Sequence, residues 1–578
     1  YLDAEYDILP QLTIRGTLAA NQQNFDWTFF NRRQDMFDWR TNDFIGSENQ
    51  LRSLTNRSEK RLNITSWIQA TYERSFQQHN FKFLVGANQE TFDQSFFAAS
   101  RTQLPTNDLP SLNTGNPETS TNEGGGTEWA LRSFFGRINY DYDGKYLFEA
   151  NFRRDGTSRF IGDKIWSNFP SVSVGWIVSR EPFMANSSFF DFLKIRASYG
   201  LLGNQNIGTD FPADALIAFD PSYSFGGAIQ GGAAQVTLGN PEVQWETTTQ
   251  TDIGVNMGIL DGRMSIEFDY FIRNTEDILF DQPNPGVTGV REPTTRNIAE
   301  VRNTGWESAI RWSDNIGDFT YSIGVNVTNV ESEVIQLDPA SSAEGDRVVD
   351  GNFVLQRGSP INALYGLGVV GVFQSQAEIE GAPDQSAFGI PSPGDLRYED
   401  FNRDGVIDIN DRKVLGQDNP TWIYGINLDL GYKGFDFSAL IQGIGDAQTY
   451  GEGELFVPFN NNAGLSTYWL DAWSPTNPSN TIPRLAFNGG INNNVTNEFW
   501  VQDRSYLRLR NVQIGYTFNK SLFENNFIES LRIYLNGQNL LTSTDYLGFD
   551  PERAERDGDG GSGYPQLRII TGGINVRF

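Results

Sequence analysis

Hydrophobic and polar residues alternate along several stretches of this chain. From Met264 to Ile272, apolar residues occupy every second position, and Ser, Glu and Asp lie between the first four of them. Similar alternation recurs at 146–152, 319–327 and 422–430. A period of two puts successive side chains on opposite faces of a β-strand, whereas a helix has a period near 3.6. The pattern therefore predicts strands with one apolar and one polar face.

Turn residues and long polar segments separate these strands. Asp, Asn and Gly, which tight hairpins favour, form turn signals at 141–144, 260–262, 315–318 and 432–434. Long polar segments lie at roughly 22–58, 97–128, 204–244, 334–420, 447–500 and 542–564. In outer-membrane barrels, short turns face the periplasm and long loops face outward. The sequence therefore predicts one all-β domain over 1–578, an antiparallel transmembrane β-barrel with about 16 strands in this chain and long extracellular loops.

The composition excludes several other classes of protein. The longest strongly apolar run, 364–373, has only ten residues and contains glycine, whereas a membrane-spanning helix needs about 20 apolar residues. Aromatic residues make up 13% of the chain although hydrophobic residues make up only 38%, which suits aromatic girdles and wet loops. Cysteine is absent and the formal charge is −28. We therefore expect no thiol chemistry and no nucleic acid partner.

Catalytic residues are not recognisable in this sequence. The single histidine, His79, lies in a predicted short turn on the periplasmic side, and no nucleophile is paired with it. No pair of carboxylates has a spacing that singles it out for glycoside hydrolysis. We therefore expect that the protein is not an enzyme.

One stretch departs from the alternation. Within 506–518, Arg508 and Arg510 share the parity of Val512 and Ile514, which would put two arginines on an apolar face. A β-bulge inserts one extra residue and reverses the parity after it. A bulge is one explanation of the pattern, and a basic membrane interface is the other.

Short motifs recur along almost the whole chain. They are FFGRINY at 134–140, RDGTSRF at 154–160, FPSVSVGW at 169–176, LKIRASYG at 193–200, GNQ at 203–205, WETT at 245–248, NTGWE at 303–307, YLRLRNV at 506–512, GQNLL at 537–541 and GFDPE at 548–552. Each motif alone has little specificity. In this order and spacing, they resemble the SusC/RagA family of TonB-dependent outer-membrane transporters.

The resemblance implies a 22-stranded barrel of which this chain holds roughly the C-terminal three-quarters of the wall. The plug, the first strands and the segment that engages TonB would lie outside this chain. The resemblance also implies the bacterial outer membrane with its lipid, a SusD-like lipoprotein as lid, and a glycan or peptide oligomer as the imported nutrient. A passive porin-type or adhesive barrel is the alternative. No residue identifies the substrate contacts.

The most specific local motif lies in the long loop at about 334–420. Residues 400–411 read DFNRDGVIDIND, which matches the Ca²⁺ loops of EF-hand and dockerin proteins, with oxygen ligands at positions 1, 3, 5, 9 and 12 and glycine at position 6. The predicted ligands are Asp400, Asn402, Asp404, the carbonyl of Val406, Asp408 and Asp411. Aspartate at position 12 replaces the usual glutamate and shortens the last ligand. The motif predicts a structural Ca²⁺, and a hydrogen-bonded turn without metal is the alternative.

Aromatic residues cluster in the predicted loops. The candidates are Trp27, Phe29, Phe30, Phe37, Trp39, Trp469 and Trp473. Such side chains stack on sugar rings, but more often they pack loops together or mark a membrane interface.

Overall fold

Two compact units make up the described chain. The computed structural model describes residues 1–578 except 220–221, 283, 285, 291, 338–346, 461–462, 488–489, 491, 519–527 and 554–563. Unit 1 comprises 1–174, 200–247 and 279–297, and unit 2 comprises 175–199, 248–278 and 298–578. No helix in the described ranges is long and apolar enough to cross a membrane.

Antiparallel β-strands dominate both units. Across the described residues, 17 strands carry the main ladders, against the prediction of about 16. They are β1 (Leu2–Leu9), β2 (Leu12–Asn31), β3 (Ser53–Phe76), β4 (His79–Thr102), β5 (Thr121–Tyr142), β6 (Tyr146–Thr157), β7 (Trp166–Ile177), β8 (Phe190–Asn204), β9 (Glu246–Ile259), β10 (Met264–Gln282), β11 (Thr294–Ile316), β12 (Phe319–Leu337), β13 (Trp422–Tyr432), β14 (Phe435–Gly445), β15 (Tyr506–Phe518), β16 (Ser530–Thr544) and β17 (Ile569–Arg577). The strands β3 and β4 have 24 residues each, whereas about 9–11 residues suffice to cross a bilayer.

Consecutive strands pair with one another within each unit. In unit 1, β1 to β6 form antiparallel ladders in sequence order. In unit 2, β11 to β17 do the same. The pairing of β3 with β4 runs without a register shift from Ser53 opposite Thr102 to Phe76 opposite His79. The predicted all-β antiparallel class is confirmed.

Tight turns connect these strands where the turn residues lie in the sequence. All four predicted turns fall between consecutive strands. The backbone is left-handed at Asp143 and Gly144, with φ of 54° and 62°, and at Lys433 and Gly434, with φ of 46° and 89°. This geometry matches the right-handed twist of the paired strands. A second constraint also favours glycine at position 434, because a Cβ there would lie 2.7 Å from the carbonyl oxygen of Thr517.

Two of the predicted loops are shorter than expected. The sequence predicts loops at roughly 22–58 and 97–128, but β2 continues to Asn31, β4 continues to Thr102 and β5 begins at Thr121. A β-ladder depends on backbone hydrogen bonds, so it continues where the apolar alternation stops, as at Thr121 to Thr127 of β5. The alternation therefore underestimates the length of these strands.

Shorter elements fill the connections between the long strands. The connection from β12 to β13 contains α1 (Gln376–Glu380) and the short strands Arg347–Asp350, Phe353–Gln356, Ala363–Leu367, Val369–Val372, Leu396–Tyr398 and Arg412–Gln417. Elsewhere lie α2 (Gly453–Phe456) and the strands Gln34–Phe37, Phe44–Glu48, Ile217–Ala218, Ser222–Phe225, Ala228–Gly231, Ala234–Gln235, Gln448–Tyr450 and Val501–Asp503.

A bulge lies in β15, where the alternation fails. In the ladder between β14 and β15, Leu440 pairs with Asn511 and Ile441 pairs with Leu509, so Arg510 is the extra residue. The parity reverses at this residue, and the arginine two positions earlier therefore lies on the polar face. The bulge, rather than a basic interface, accounts for the pattern.

Hydrophobic cores lie beneath the loops. In unit 1, one core consists of Phe160, Phe169, Ile207, Val243 and Trp245. In unit 2, one core consists of Phe456, Val457, Trp469, Ala472, Ile482, Trp500 and Tyr546. A second core in unit 2 consists of Leu367, Val372, Leu396, Tyr398 and Ile407. These contacts give the connections a defined structure.

Candidate functional site

One face of the unit 2 ladders is apolar and exposed. The side chains of Ile514, Leu535 and Ile574 are 50%, 53% and 64% exposed, and the first two lie opposite each other across β15 and β16. Further along the same face, Ile426 lies opposite Ile441. Soluble monomers rarely expose apolar patches of more than a few hundred Å². A continuous stripe of this kind has the chemistry of a surface that contacts lipid.

Unit 1 has an apolar face of the same kind. The side chains of Val85, Phe134 and Phe152 are 61%, 50% and 51% exposed. Val85, Gly136 and Phe152 lie in one row across β4, β5 and β6. The two-faced pattern therefore occurs in both units.

Aromatic side chains gather at the ends of the strands that carry short turns. In unit 2, the rings of Phe435 and Tyr516 lie 4.5 Å apart. In unit 1, Phe81 and Tyr140 lie 4.9 Å apart, and Nδ1 of His79 is 2.9 Å from the hydroxyl of Tyr140. The histidine is thus the first residue of β4, just after the turn, and belongs to an aromatic band of the type found at membrane interfaces.

Hydrogen-bonded polar side chains cover the opposite face of the unit 1 ladders. Arg137 donates to Asn151 at 2.6 Å, and Asn151 donates to Glu149 at 2.8 Å. Arg153 donates to the hydroxyl of Ser133 at 2.6 Å. Charged and amide groups satisfied in this way suit a surface that faces water inside a barrel.

The polar face of unit 2 has a similar composition. Asp436 on β14 accepts a hydrogen bond of 2.9 Å from Nε of Arg532 on β16. Asn536 donates to Asn511 across β16 and β15 at 3.0 Å. Both contacts join strands on the face opposite the apolar stripe.

A buried ion cluster holds the loop after β16 against β15. Arg508, which is 2% exposed, donates to Asp550 at 2.7 Å, to Glu552 at 2.6 Å and to the hydroxyl of Thr542 at 3.0 Å. Burial raises the pKa of Asp550, but hydrogen bonds from Arg508 and from the backbone N–H groups of Gln566 and Glu552 outweigh it and leave the pKa below its usual value. The sequence did not reveal this cluster, because Asp550 and Glu552 lie 42 and 44 residues after Arg508 in the chain. The GFDPE motif at 548–552, which contains both carboxylates, was the signal in the sequence that could have pointed to it.

The six predicted calcium ligands lie in one turn of unit 2. Gly405 has a φ of 86°, as the sharp turn at position 6 requires. Asp411 is fully buried, and its carboxylate accepts the backbone N–H groups of Phe401, Asn402 and Asp408 at 2.9, 3.2 and 2.8 Å. The last predicted ligand therefore organises the turn.

The other carboxylates of the turn also accept backbone hydrogen bonds. Asp400 accepts from the N–H groups of Asp404 and Gly405 at 3.1 and 2.9 Å, and Asp404 accepts from Val406 at 2.9 Å. In the described part of the chain, no three His, Cys, Asp or Glu side chains are grouped so that they could hold a metal ion. Each carboxylate oxygen has about two lone pairs, so one hydrogen bond leaves capacity for a cation. The all-oxygen donor set suits a hard cation such as Ca²⁺.

The candidate aromatic residues differ in accessibility. Trp469 is only 4% exposed and its indole N–H donates to the carbonyl of Phe456 at 3.1 Å, so it packs a loop core. Trp473 donates to Gln374 at 3.0 Å. Trp39, by contrast, is 85% exposed.

The sequence over this wall matches a known family. Residues 1–540 match the family described as "TonB dependent receptor-like, beta-barrel". The chain belongs to the TonB-dependent receptor family. The wall with one apolar and one polar face is thus the β-barrel fold of such a receptor, and membership of the family implies the bacterial outer membrane.

Two relatives of this receptor chain have informative names. The "TonB-dependent receptor P3" of Formosa agariphila is 34% identical over 537 residues, which cover 88% of this chain and 51% of the relative. The "TonB-dependent receptor SusC" of Bacteroides thetaiotaomicron is 26% identical over 544 residues, which cover 90% of this chain and 50% of the relative. The chain therefore spans about half the length of these curated relatives.

The fold of this receptor chain resembles a solved transporter. A chain of the structure titled "Structure of the RagAB peptide transporter" superposes with a TM-score of 0.80 and 22% identity, over 99% of this chain and 61% of that chain. At this level of identity the likeness concerns the fold alone. Together with the relative named SusC, it confirms the SusC/RagA resemblance within a family of receptors and transporters.

Proposed function

We propose that this chain forms part of the barrel wall of an active outer-membrane importer. In this proposal, TonB drives uptake of a nutrient oligomer, a glycan or a peptide, and a SusD-like surface lipoprotein closes over the loops. The observation that carries the proposal is the family match over residues 1–540, which coincides with ladders that have one apolar and one polar face.

Two features support import of an oligomer. A relative named SusC and a fold neighbour titled as a peptide transporter both favour an import function for this chain. The connections of unit 2 have their own packed cores, so they offer a defined surface for capture of a ligand above the wall.

The test compares uptake with and without energy coupling. Cells that carry the whole protein take up fluorescent oligosaccharides or oligopeptides, and deletion of TonB should abolish that uptake while the amount of protein in the outer membrane stays constant. Uptake through a passive porin does not depend on energy coupling by TonB. Undiminished uptake without TonB, together with solute permeation in liposomes that contain only this protein, would favour the porin alternative.

We also propose that the turn at 400–411 binds a structural Ca²⁺. Four aspartates against one arginine in these twelve residues give it the charge that a hard cation offsets. Calorimetry with millimolar CaCl₂ should show binding that Asp408→Asn weakens. The matched control is Glu380→Gln, an exposed carboxylate of the same connection. Absence of a Ca²⁺ heat signal in the folded wild-type protein would refute the proposal.

A further inference from the structure

A polar cavity lies among the loops of unit 2. Its volume is about 330 Å³, near the lower end of the range for small-molecule sites. It is lined by Asn352, Tyr450, Gly451, Glu452, Gly453, Val457, Asn460, Asn494, Thr496 and Trp500. Oxygen acceptors and amides predominate among the polar groups, and neither Lys nor Arg is among the lining residues.

Among the described lining residues, the carboxylate of Glu452 is the only charged group. The side-chain amide of Asn352 donates a hydrogen bond to it, and Thr496 donates to the amide oxygen of Asn352 at 2.8 Å. This relay holds the carboxylate in place. In the described part of the chain, Glu452 forms no ion pair with Lys, Arg or His. The charge of Arg412 acts on the neighbouring Tyr450 but does not pair with Glu452. A partly buried carboxylate without an ion-pair partner is unfavourable, and a bound cation in contact with it would compensate it.

Two amides beside Glu452 have free hydrogen-bonding capacity. Asn460 and Asn494 line the cavity, and their side chains make no hydrogen bond within the described residues. Burial, and to a smaller extent the charge of Glu452, raise the pKa of Tyr450, so this hydroxyl stays neutral. The cavity therefore offers one carboxylate and two amide oxygens as acceptors.

The larger aromatic residue of the cavity, Trp500, offers no open ring face to a sugar. Trp500 is 3% exposed and its indole N–H donates to the carbonyl of Asn493 at 2.8 Å, so its ring face is covered by protein. The ring of Trp500 is therefore not available for stacking. An anionic ligand would be repelled by Glu452. A cation with several hydrogen-bond donors complements the carboxylate and the amides of the cavity.

We propose that this cavity binds a primary ammonium group of the imported oligomer. The three N–H donors of the ammonium match the carboxylate of Glu452 and the amide oxygens of Asn460 and Asn494. This inference rests on the proposed import function and narrows its substrate class. The ammonium has two chemical sources, an amino sugar and a peptide amine, and both present the same group to the cavity.

Calorimetry on the purified whole protein in detergent tests the inference. The probes are glucosamine trisaccharide, trilysine, and the fully N-acetylated form of each. At least one free amine should bind, and its acetylated form should bind roughly ten- to hundred-fold more weakly, since the charge-assisted hydrogen bond is lost. The amine that binds identifies the source.

The variant Glu452→Gln should weaken binding of that amine by a similar factor. The matched control is Asp471→Asn, which removes an exposed carboxylate of the same loop region outside the cavity and should leave the affinity unchanged. If Glu452→Gln does not fold, Asn494→Ala, at an exposed residue, should still weaken binding several-fold.

Equal binding of acetylated and free probes, no binding of either amine, or wild-type affinity in a folded Glu452→Gln protein would overturn the inference. The assay involves neither TonB nor a membrane potential. Its failure would therefore leave TonB-dependent uptake untouched, and loss of TonB dependence would leave the binding result untouched.

Discussion

Removal of the Arg508 guanidinium should release the loop that follows β16. Arg508→Met keeps much of the volume but leaves Asp550, which is 5% exposed, without the cation that contacts it at 2.7 Å. Removing one partner of a buried ion pair costs about 3–5 kcal/mol, because the other charge stays buried. We expect this cost to fall on the loop rather than on the whole wall, since the ladder of β15 with β16 depends on backbone hydrogen bonds.

Hydrogen–deuterium exchange of two backbone amides measures the effect directly. The N–H groups of Glu552 and Gln566 both donate to the carboxylate of Asp550, at 3.0 and 2.9 Å. A loss of about 3–5 kcal/mol corresponds to exchange that is roughly two to four orders of magnitude faster. The matched control is Arg510→Met, because that side chain is 31% exposed and such a pair contributes at most about 1 kcal/mol.

A second substitution separates the charge from the packing. Adding Asp550→Asn to Arg508→Met removes the unpaired negative charge and should restore most of the protection of the two amides against exchange. Unchanged exchange at both amides in Arg508→Met, or equal acceleration in Arg508→Met and Arg510→Met, would refute the reasoning.

The same cluster should respond to acid. The folded-state pKa of Asp550 lies below its usual value, so its contribution is present above the unfolded pKa of about 3.9 and is lost as the pH falls through the folded pKa. After correction for intrinsic exchange, protection should be constant from neutral pH to about pH 5 and should fall below about pH 4. Loss of protection near neutral pH would contradict this assignment.

Three further predictions concern the wall and its turns. Gly434→Ala should destabilise the protein in urea unfolding by more than the roughly 1–2 kcal/mol of a left-handed alanine, because its Cβ would meet the Thr517 carbonyl. Gly317→Ala, with a φ of 61° and open space around it, should cost only that penalty, and equal costs would argue against the clash. Ile514→Arg on the apolar face should cost up to about 2–4 kcal/mol in lipid vesicles, whereas Gln513→Arg on the polar face should cost little, and the reverse order would invert the assignment of the faces. Gly203→Ala should displace the ring of Phe169, which a Cβ would approach to 2.0 Å, and near-ultraviolet circular dichroism that stays unchanged would contradict this contact.

Local patterns predicted the wall well because its regularities are local. Successive side chains of a strand point to opposite faces whatever the partner strand is, so the alternation at 264–272 and 422–430 indicated strands and their apolar faces. Left-handed turns favour Gly, Asn and Asp, and the signals at 141–144 and 432–434 marked the hairpins. Even the failed alternation around Arg510 was informative, since the structure places a bulge there.

The same local patterns failed where backbone pairing alone maintains a strand. The residues from Thr121 to Thr127 pair continuously with β4, but they lack the apolar stripe that would have revealed a strand. The aromatic candidates failed for a related reason. Trp469 is of a residue type that often stacks on ligands, but neighbours from distant parts of the loops bury it in a core.

The sequence by itself determined the strand class, the two faces, the hairpin turns and the family, because each depends on neighbouring residues or on motifs read in order. Only the tertiary structure decided which distant groups meet. Arg508 finds Asp550 42 residues away, and Glu452 is oriented by Asn352, 100 residues away. The loops bring such groups together through packing and hydrogen bonds between segments, and no short-range period in the sequence records those contacts.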